Sequence, residues 1–198
     1  CSKQDSGELP FGNGSRYPHL TKTESNGLLV SWFEPVDSTI IGLFWSEFSN
    51  NEWLVKTLIY SSDHFFINWA DFPSIFELND STLVSHWLEM SGKSTYDYDV
   101  KVIHSTDRGK TWSEPISPHR DGKEVEHGFV SFYKNETHEL EMVWLDGREM
   151  AGGHGHESAG DMNLYTTSFD RDFKQRHDIS LDAMVCECCP TTAVQLEK

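Results

Sequence analysis

The sequence is poor in basic residues. Lys and Arg together number 16 against 32 Asp and Glu, so the formal net charge is −16 at pH 7. A charge of this sign argues against nucleic acid and against an anionic membrane surface as partners. It also means that an anionic ligand would need an arginine placed close to it, because the average field of the protein repels it.

The sequence also lacks an apolar run of 18 residues and the 3.6-residue periodicity of amphipathic helices. The first absence argues against a membrane-spanning helix, and the second against a helical domain. Aromatic residues are abundant, at 13% with 7 Trp and 12 Phe, and they are favoured in strands and between packed sheets. The 198 residues can form one good core or two small ones, and we expect an all-β architecture.

Cysteine is scarce and unevenly placed. Cys1 stands alone, and the other three cysteines lie within residues 186–189, which is not the spacing of a disulfide framework. Cys1 is followed by a polar, glycine-rich stretch to residue 13, and this arrangement resembles the N-terminus of a processed bacterial lipoprotein. The resemblance implies an exported protein at the bacterial cell envelope or outer surface. Residues 1–13 would then be a tether with a lipid on Cys1 as the only contact with the membrane; the alternative is a boundary that happens to fall on a cysteine.

The most regular local motif runs from Ser105 to Trp112 and reads S-x-D-x-G-x-T-W. Asp107 can accept hydrogen bonds from nearby backbone N–H groups, and Gly109 permits the positive φ of a tight turn. Thr111 then re-enters a strand, and the final Trp is large enough to anchor the turn on a sheet. The motif resembles the Asp-box, or bacterial neuraminidase repeat, of sialidase-like β-propellers.

Similar turns recur about 60 residues apart, within the range of propeller repeats. Residues 45–53 keep the Ser and the Trp, and residues 168–172 keep the Ser and the Asp. Strand-like segments 28–34, 83–89 and 140–146 follow the same period. We therefore expect four-stranded antiparallel blades.

The expected blades are residues 15–62, 63–121 and 122–183, with the start of a fourth at 184–198. The expected strands lie near residues 16–18, 28–34, 39–46, 54–60, 74–77, 82–89, 97–105, 129–133, 139–144, 162–167, 173–179 and 186–196, with a polar edge after Trp112. Because sialidase-like propellers have six blades, the resemblance implies that residues 14–198 form about half of one. The remainder of that propeller would be a partner of this segment.

The resemblance also implies where a ligand would bind. In such propellers, the loop before the inner strand and the loop between the second and third strands open at one face, opposite the Asp-box. The residues expected at that face are Arg16, Asp37, Asp71, Tyr96, Asp97, Glu126, His127, Arg148, His154, His156, Glu157, Cys186, Cys188 and Cys189.

Arg16 and Pro18 match the Arg-x-Pro motif of sialidases, in which the arginine binds the substrate carboxylate. The alternative for Arg16 is an ion pair with a nearby acid. The resemblance implies an acid/base carboxylate in the first top loop, where Asp37 is the nearest candidate, and Asp71 is a second candidate. The nucleophilic Tyr and its Glu partner are expected in later blades. The residues expected to bind substrate are Arg16, Tyr17, Glu126, His127 and Arg148.

Two segments contain residues that could bind a metal ion. His154 and His156 lie in the glycine-rich loop 146–157, which is either a metal-binding loop or a solvated one. Residues 186–189 are expected in an extended strand, with the first two cysteines on one face and Cys189 on the other. Three interpretations stay open for these thiols: a Zn or Cu site shared with the two histidines, a disulfide, or packing as small apolar side chains. We expect no cofactor to be required otherwise.

Three functions compete at this stage. The first is a surface-anchored exo-glycosidase of the sialidase-like type, acting on an acidic glycan. The second is a propeller that binds a glycan, another small acidic ligand or a protein without catalysis. The third is a metal-binding propeller that uses the cysteine and histidine side chains.

Overall fold

The computed structural model describes residues 8–150 and 160–196. Within these ranges the chain forms only strands and loops, as the aromatic-rich composition predicted, and contains no helix that could cross a membrane. The strands are β1 (Arg16–Lys22), β2 (Leu28–Pro35), β3 (Ile41–Ser49), β4 (Glu52–Trp53), β5 (Thr57–Ser62), β6 (Ser74–Glu77), β7 (Leu83–Met90), β8 (Tyr98–Ser105), β9 (His127–Lys134), β10 (Leu140–Asp146), β11 (Met162–Phe169) and β12 (Ile179–Val185).

The strands form three antiparallel sheets that follow the chain order. The first has the order β1-β2-β3-β4, with β5 also paired to β3; the second has the order β6-β7-β8; the third has the order β9-β10-β11-β12. By the clustering of contacts, the chain divides into two compact units. The first comprises Cys1–Asp63, Phe72–Ser85 and Ile103–Ser113, and the second comprises His64–Asp71, His86–Val102 and Glu114–Lys198.

The first unit is built on strand β2, which is buried on both faces. Trp32, in the middle of β2, is fully buried and stacks on Phe44 of β3, with ring centroids 6.1 Å apart. Leu29 and Leu43 are also fully buried. Burial of side chains of this size contributes roughly 1.5–3 kcal/mol each, so these residues hold the sheet together.

The turn at Ser105 has a dense set of local hydrogen bonds. Ser105 Oγ accepts the Gly109 N–H at 2.8 Å, and Asp107 Oδ1 accepts the Thr111 N–H at 2.9 Å. Hydrogen bonds from Thr111 and Ser105 lower the pKa of Asp107 to about 2. Gly109 has φ of +79°, and a Cβ there would clash with the indole of Trp45, so this glycine is needed both for the turn and for packing.

The second unit contains the four-stranded sheet β9 to β12. Phe129 of β9 packs with Leu145, Met150 and Met162 in its hydrophobic core. In β10, alternate residues are buried at the start and every residue from Met142 onward is buried. This pattern indicates a strand covered on both faces, as in a central strand of a packed sheet.

Two strand predictions were wrong. The last strand of the third sheet is Ile179–Val185, not residues 173–179, because Asp170 accepts the N–H groups of Asp172 and Lys174 and so holds the chain in a turn. Residues 186–196 contain no strand. They begin with a turn, and Pro190 offers no N–H group to a sheet ladder.

Candidate functional site

The first unit holds three of the residues singled out from the sequence. Arg16 is exposed, makes no ion pair with the described residues, and lines a cavity of about 230 Å³ together with Phe11 and Trp32. Tyr17 has φ of +56° and stacks on Phe72, with ring centroids 5.7 Å apart. Asp37 is exposed and accepts the N–H groups of the turn that follows it, and these hydrogen bonds lower the pKa of its carboxyl.

Asp71, in the second unit, is buried, and its side chain contacts the first residues of strand β9. Its Oδ2 accepts the backbone N–H of Phe129 at 2.5 Å. The carboxyl occupies the space above Gly128, where a Cβ would lie 2.5 Å from Asp71 Oδ2. Phe129 has φ of +54°, which is a strained conformation for a bulky residue. Residues 128–129 therefore adopt a backbone that makes room for this carboxyl and donates to it.

The pKa of Asp71 is raised to about 7, first by burial and also by the charge of Glu126, against the lowering effect of the Phe129 hydrogen bond. Glu126 is itself buried and accepts a 2.5 Å hydrogen bond from the hydroxyl of Tyr98. Burial and the neighbouring carboxylates raise the pKa of Tyr98, so its hydroxyl stays protonated and acts as a donor. The group thus combines a carboxyl that exchanges its proton near neutral pH with a carboxylate held in place by a tyrosine.

Next to Glu126 in sequence, His127 is fully buried and stacks on His119, with ring centroids 3.7 Å apart and an interplanar angle of 5°. Burial acts to lower the pKa of His127, but the carboxylates of Asp121, Asp146 and Asp99 outweigh it and raise that pKa. His119 and Asp99 also line a cavity of about 350 Å³. The stacked pair is therefore enclosed by carboxylates and reached from a cavity.

Arg148 fixes one of these carboxylates. Its Nε and one terminal nitrogen donate to the two oxygens of Asp146 at 2.8 and 2.7 Å. Its other terminal nitrogen lies 2.8 Å from Asp178, and the guanidinium stacks over the ring of Tyr165 at 3.8 Å. With one face on Tyr165 and its three nitrogens engaged in this way, Arg148 positions Asp146 beside His127, and its predicted role in substrate binding stays a prediction.

The three cysteines at 186–189 lie on a turn, which corrects the expectation of an extended strand with thiols on opposite faces. The Sγ atom of Cys186 lies 3.3 Å from that of Cys188 and 3.1 Å from that of Cys189. These distances are longer than a disulfide bond of about 2.05 Å, and all three side chains are exposed. Hydrogen bonds from Cys189 and Cys188 lower the pKa of the Cys186 thiol. The turn gathers the thiols instead of separating them, because it reverses the chain within four residues.

Of the predicted residues, Asp71, Glu126, His127 and Arg148 lie in the second unit. His154, His156 and Glu157 lie outside the described residues, so their predicted role stays a prediction.

The second unit also contains five residues of this group that the sequence did not single out. They are Tyr98, Asp99, His119, Asp121 and Asp146. Only Asp146 had a signal in the sequence, since the repeat aligns it with Glu34; His119 and Asp121 lie in a loop expected to be a polar edge.

No protein-family model matches this sequence, and no curated protein matches it. Solved structures do match. An α-L-arabinanase from Penicillium chrysogenum, complexed with arabinobiose, aligns with a TM-score of 0.58 at 13% identity over 89% of this chain and 54% of its own. The NanB sialidase of Streptococcus pneumoniae aligns with a TM-score of 0.51 at 16% identity over 84% of this chain and 23% of its own. An ulvan lyase described as a new family of polysaccharide lyase aligns with a TM-score of 0.55 at 9% identity, over 89% of this chain and 45% of its own.

The fold is a β-propeller. The chain spans about half the length of the arabinanase. The prediction of an all-β propeller with antiparallel blades is therefore confirmed. At 9–16% identity, the likeness establishes the fold alone, because one propeller scaffold supports many functions.

Proposed function

We propose that this protein cleaves a glycan and that the carboxyl of Asp71 donates a proton to the leaving oxygen. The observation that carries the proposal is that the buried Asp71 carboxyl accepts the Phe129 N–H and interacts with the charge of Glu126, which Tyr98 binds. A carboxyl whose pKa is raised to about 7 holds its proton at neutral pH and can give it to a leaving oxygen. The arabinanase, the sialidase and the lyase with the same fold, all named for action on glycans, support the choice of substrate class.

In this mechanism Asp71 is the general acid. Its Oδ2 stays fixed by the Phe129 N–H, so the carboxyl keeps one orientation while it gains and loses a proton. Glu126 lies close enough for its charge to raise the pKa of Asp71, and Tyr98 holds Glu126 in place. A carboxylate near a protonated acid is the pairing that glycoside hydrolysis requires.

The test is a substrate screen with matched variants. Wild-type protein, Asp71→Asn and Asp172→Asn are compared on arabinan, sialosides and sulfated polyuronides; Asp172 is an exposed turn residue and serves as the control. We expect Asp71→Asn to lower kcat by about 10²–10⁴-fold, and we expect turnover to fall above about pH 7 as Asp71 loses its proton. An unsaturated product would indicate a lyase, and a new reducing end without an unsaturated product would indicate a hydrolase. Equal turnover by wild type and Asp71→Asn would contradict the role, and binding without turnover would support a non-catalytic glycan-binding propeller.

The finer form of the proposal is an exo-acting, sialidase-like enzyme for an acidic glycan, with Arg16 binding the carboxylate of the sugar. The exposed guanidinium of Arg16 and the cavity beside it support this role. Arg16→Ala should then weaken binding of an acidic glycan more than that of its neutral analogue; equal weakening would contradict it. Asp37, whose carboxyl is exposed and has a lowered pKa, would serve as a base in this scheme. The bacterial envelope location and the lipid on Cys1 remain proposals, and Cys1 lies outside the described residues.

A second candidate function is binding of a soft metal ion by the three cysteines. The observation in its favour is the turn that brings the exposed Sγ atoms of Cys188 and Cys189 within 3.3 Å of the Sγ atom of Cys186. Thiolates suit Zn and Cu(I), and His154 or His156 would complete the site. Titration with Co²⁺ should produce a thiolate charge-transfer band that Cys188→Ser weakens. The absence of that band in reduced protein would rule this site out.

A further inference from the structure

The stacked pair His119 and His127 meets a carboxylate at each of its two edges. At one edge, Asp121 Oδ1 lies 3.3 Å from His119 Nδ1 and 3.4 Å from His127 Nε2. At the opposite edge, Asp99 Oδ1 lies 3.8 Å from His119 Nε2 and 3.9 Å from His127 Nδ1. Neither nitrogen on the Asp99 side has a hydrogen-bond partner among the described residues, and both are buried.

The Asp121 edge decides which nitrogens carry hydrogen. A neutral imidazole has one N–H group, and the nitrogen closer to a carboxylate is the better donor. His119 therefore directs its N–H group at Asp121, and we assign the same orientation to His127, whose Nε2 lies 3.4 Å from Asp121 without a hydrogen bond of good geometry. The lone pairs of both buried rings then face the half-buried Asp99 Oδ1, and buried acceptors without a donor are costly. Such a set needs either protons or a cation between its members.

The charges around the pair point the same way. With neutral imidazoles, the charged groups within 4 Å of their nitrogens are all carboxylates: Asp99, Asp121 and Asp146. Lys101 pairs with Asp99 and Arg148 pairs with Asp146, whereas Asp121 has no Lys or Arg partner among the described residues. Buried and half-buried carboxylates are costly without compensation, and a cation held by the two rings and Asp99 would add positive charge at this place.

We propose that Asp99 Oδ1, His119 Nε2 and His127 Nδ1 bind a divalent cation of the zinc type. Two imidazoles and one carboxylate are a zinc ligand set, and the cavity of about 350 Å³ beside Asp99 and His119 leaves a fourth position open. Asp121 takes the role of the outer carboxylate that fixes the tautomer and orientation of ligating histidines. Ligand atoms on a tetrahedral zinc lie about 3.4 Å apart, so binding draws the three atoms together by roughly half an ångström. It also tilts the stacked rings, because each lone pair lies in the plane of its ring.

The nitrogen of His127 that faces Asp146 makes a poorer site for a cation. Asp146, with Asp121 and the opposite nitrogen of His127, forms a second group of potential ligands. Both oxygens of Asp146 already accept hydrogen bonds from Arg148 at 2.8 and 2.7 Å. A cation at that position would have to displace a guanidinium, so the Asp99 side is the binding side.

The experiment measures zinc binding in a chain whose thiols cannot contribute. The background is Cys1→Ser, Cys186→Ser, Cys188→Ser and Cys189→Ser in the full chain, stripped with a chelator and titrated with ZnSO₄ by calorimetry. We expect one zinc per chain, with binding at least tenfold weaker in His119→Gln and in Asp99→Asn, and about 10- to 100-fold weaker in Asp121→Asn. His177→Gln, which changes an exposed histidine, is the matched control and should bind like the background. Near-UV circular dichroism of the metal-free variants checks that each one folds.

Substitution of cobalt for zinc gives a second readout that does not depend on any activity. A Co²⁺ spectrum of a nitrogen and oxygen site, without a thiolate band, would support the proposal. No stoichiometric zinc in the thiol-free chain would overturn it and would leave two bound protons as the compensation of the cluster. Zinc binding that His119→Gln and Asp99→Asn leave unchanged would overturn it equally.

Discussion

Glu34 and Asp146 stand at the same position of the repeat but in different surroundings. Each lies two residues after a buried tryptophan and accepts its indole N–H, at 3.1 Å for Trp32 and 2.8 Å for Trp144. Glu34 also accepts hydrogen bonds from Lys56 and, at 2.8 Å each, from the Gly12 N–H and the Ser15 hydroxyl, and these hydrogen bonds overcome burial and lower its pKa to about 2. Asp146 has no exposed surface.

Asp146 also has more than one charged neighbour. It is bound by Arg148 and lies 3.6 Å from His127, within a group that holds more carboxylates than cations. The comparison shows that one repeat position serves as a structural tie in the first unit and as part of a candidate site in the second. The surrounding loops, not the strands, make the difference.

The largest expected effect is the difference in stability between variants that remove Asp146 and Glu34. Asp146→Ala should lower the free energy of unfolding by about 3 kcal/mol or more, because it leaves Arg148 and the Trp144 indole without their buried partner. Glu34→Ala should cost about 1–2 kcal/mol, since Lys56 is one-third exposed and can be solvated. Urea denaturation of both variants gives the two values. An equal loss of free energy of unfolding in both variants would contradict the claim that the surroundings of Asp146 and Glu34 differ in energy.

The next largest expected effect is the pH dependence of the stability that Glu34 contributes. Because its folded pKa is lowered to about 2 from 4.5, its contribution is present above pH 4.5 and is lost as the pH falls toward 2. We expect Glu34→Gln to remove on the order of 2 kcal/mol of this acid dependence. Thermal unfolding between pH 2 and pH 6 measures it, and parallel wild-type and variant profiles would contradict it.

Arg148 and Lys56, which pair with Asp146 and Glu34, should differ in how much stability is lost when each is replaced by the other basic residue. Arg148→Lys should cost about 1–2 kcal/mol, because Lys cannot reproduce the paired hydrogen bonds to Asp146 or the stacking on Tyr165. Lys56→Arg should change stability by less than about 0.5 kcal/mol, as expected for a half-exposed pair. Chemical denaturation of the two reciprocal variants makes the comparison, and a neutral Arg148→Lys would remove the distinction.

The smallest effect is expected away from both acids. Arg176 pairs with Glu139 at 2.9 Å, but its side chain is 57% exposed. Arg176→Gln should therefore change the free energy of unfolding by less than about 0.5 kcal/mol. This variant sets the scale for the others, and a loss above 1 kcal/mol would show that ion pairs at the surface are stronger here than the comparison assumes.

Much of the fold could be predicted from the sequence. The period of the turns and of the tryptophan-containing strands placed β2, β6, β7, β8 and β10 to within one or two residues, because the same strand recurs at the same distance from each turn. The turn at residues 168–172 was predicted, but the start of the strand after it was not, since Ile179–Val185 is mostly exposed and carries no apolar pattern. The candidate site was found only in part. Glu126 and His127 precede a recognisable inner strand, whereas His119 and Asp121 lie in a loop without periodicity.

The sequence by itself determined the strands, the turns and the aromatic core, because each depends on neighbours within a few residues or on the repeat. Only the tertiary structure decided which ionisable groups meet. Asp71 and the Phe129 N–H are 58 residues apart in sequence, and the imidazoles of His119 and His127 stack although a loop separates them. The raised pKa values of Asp71 and His127 and the proposed metal site depend on burial and on distances of 3 to 4 Å between side chains, and these exist only once the sheets have packed.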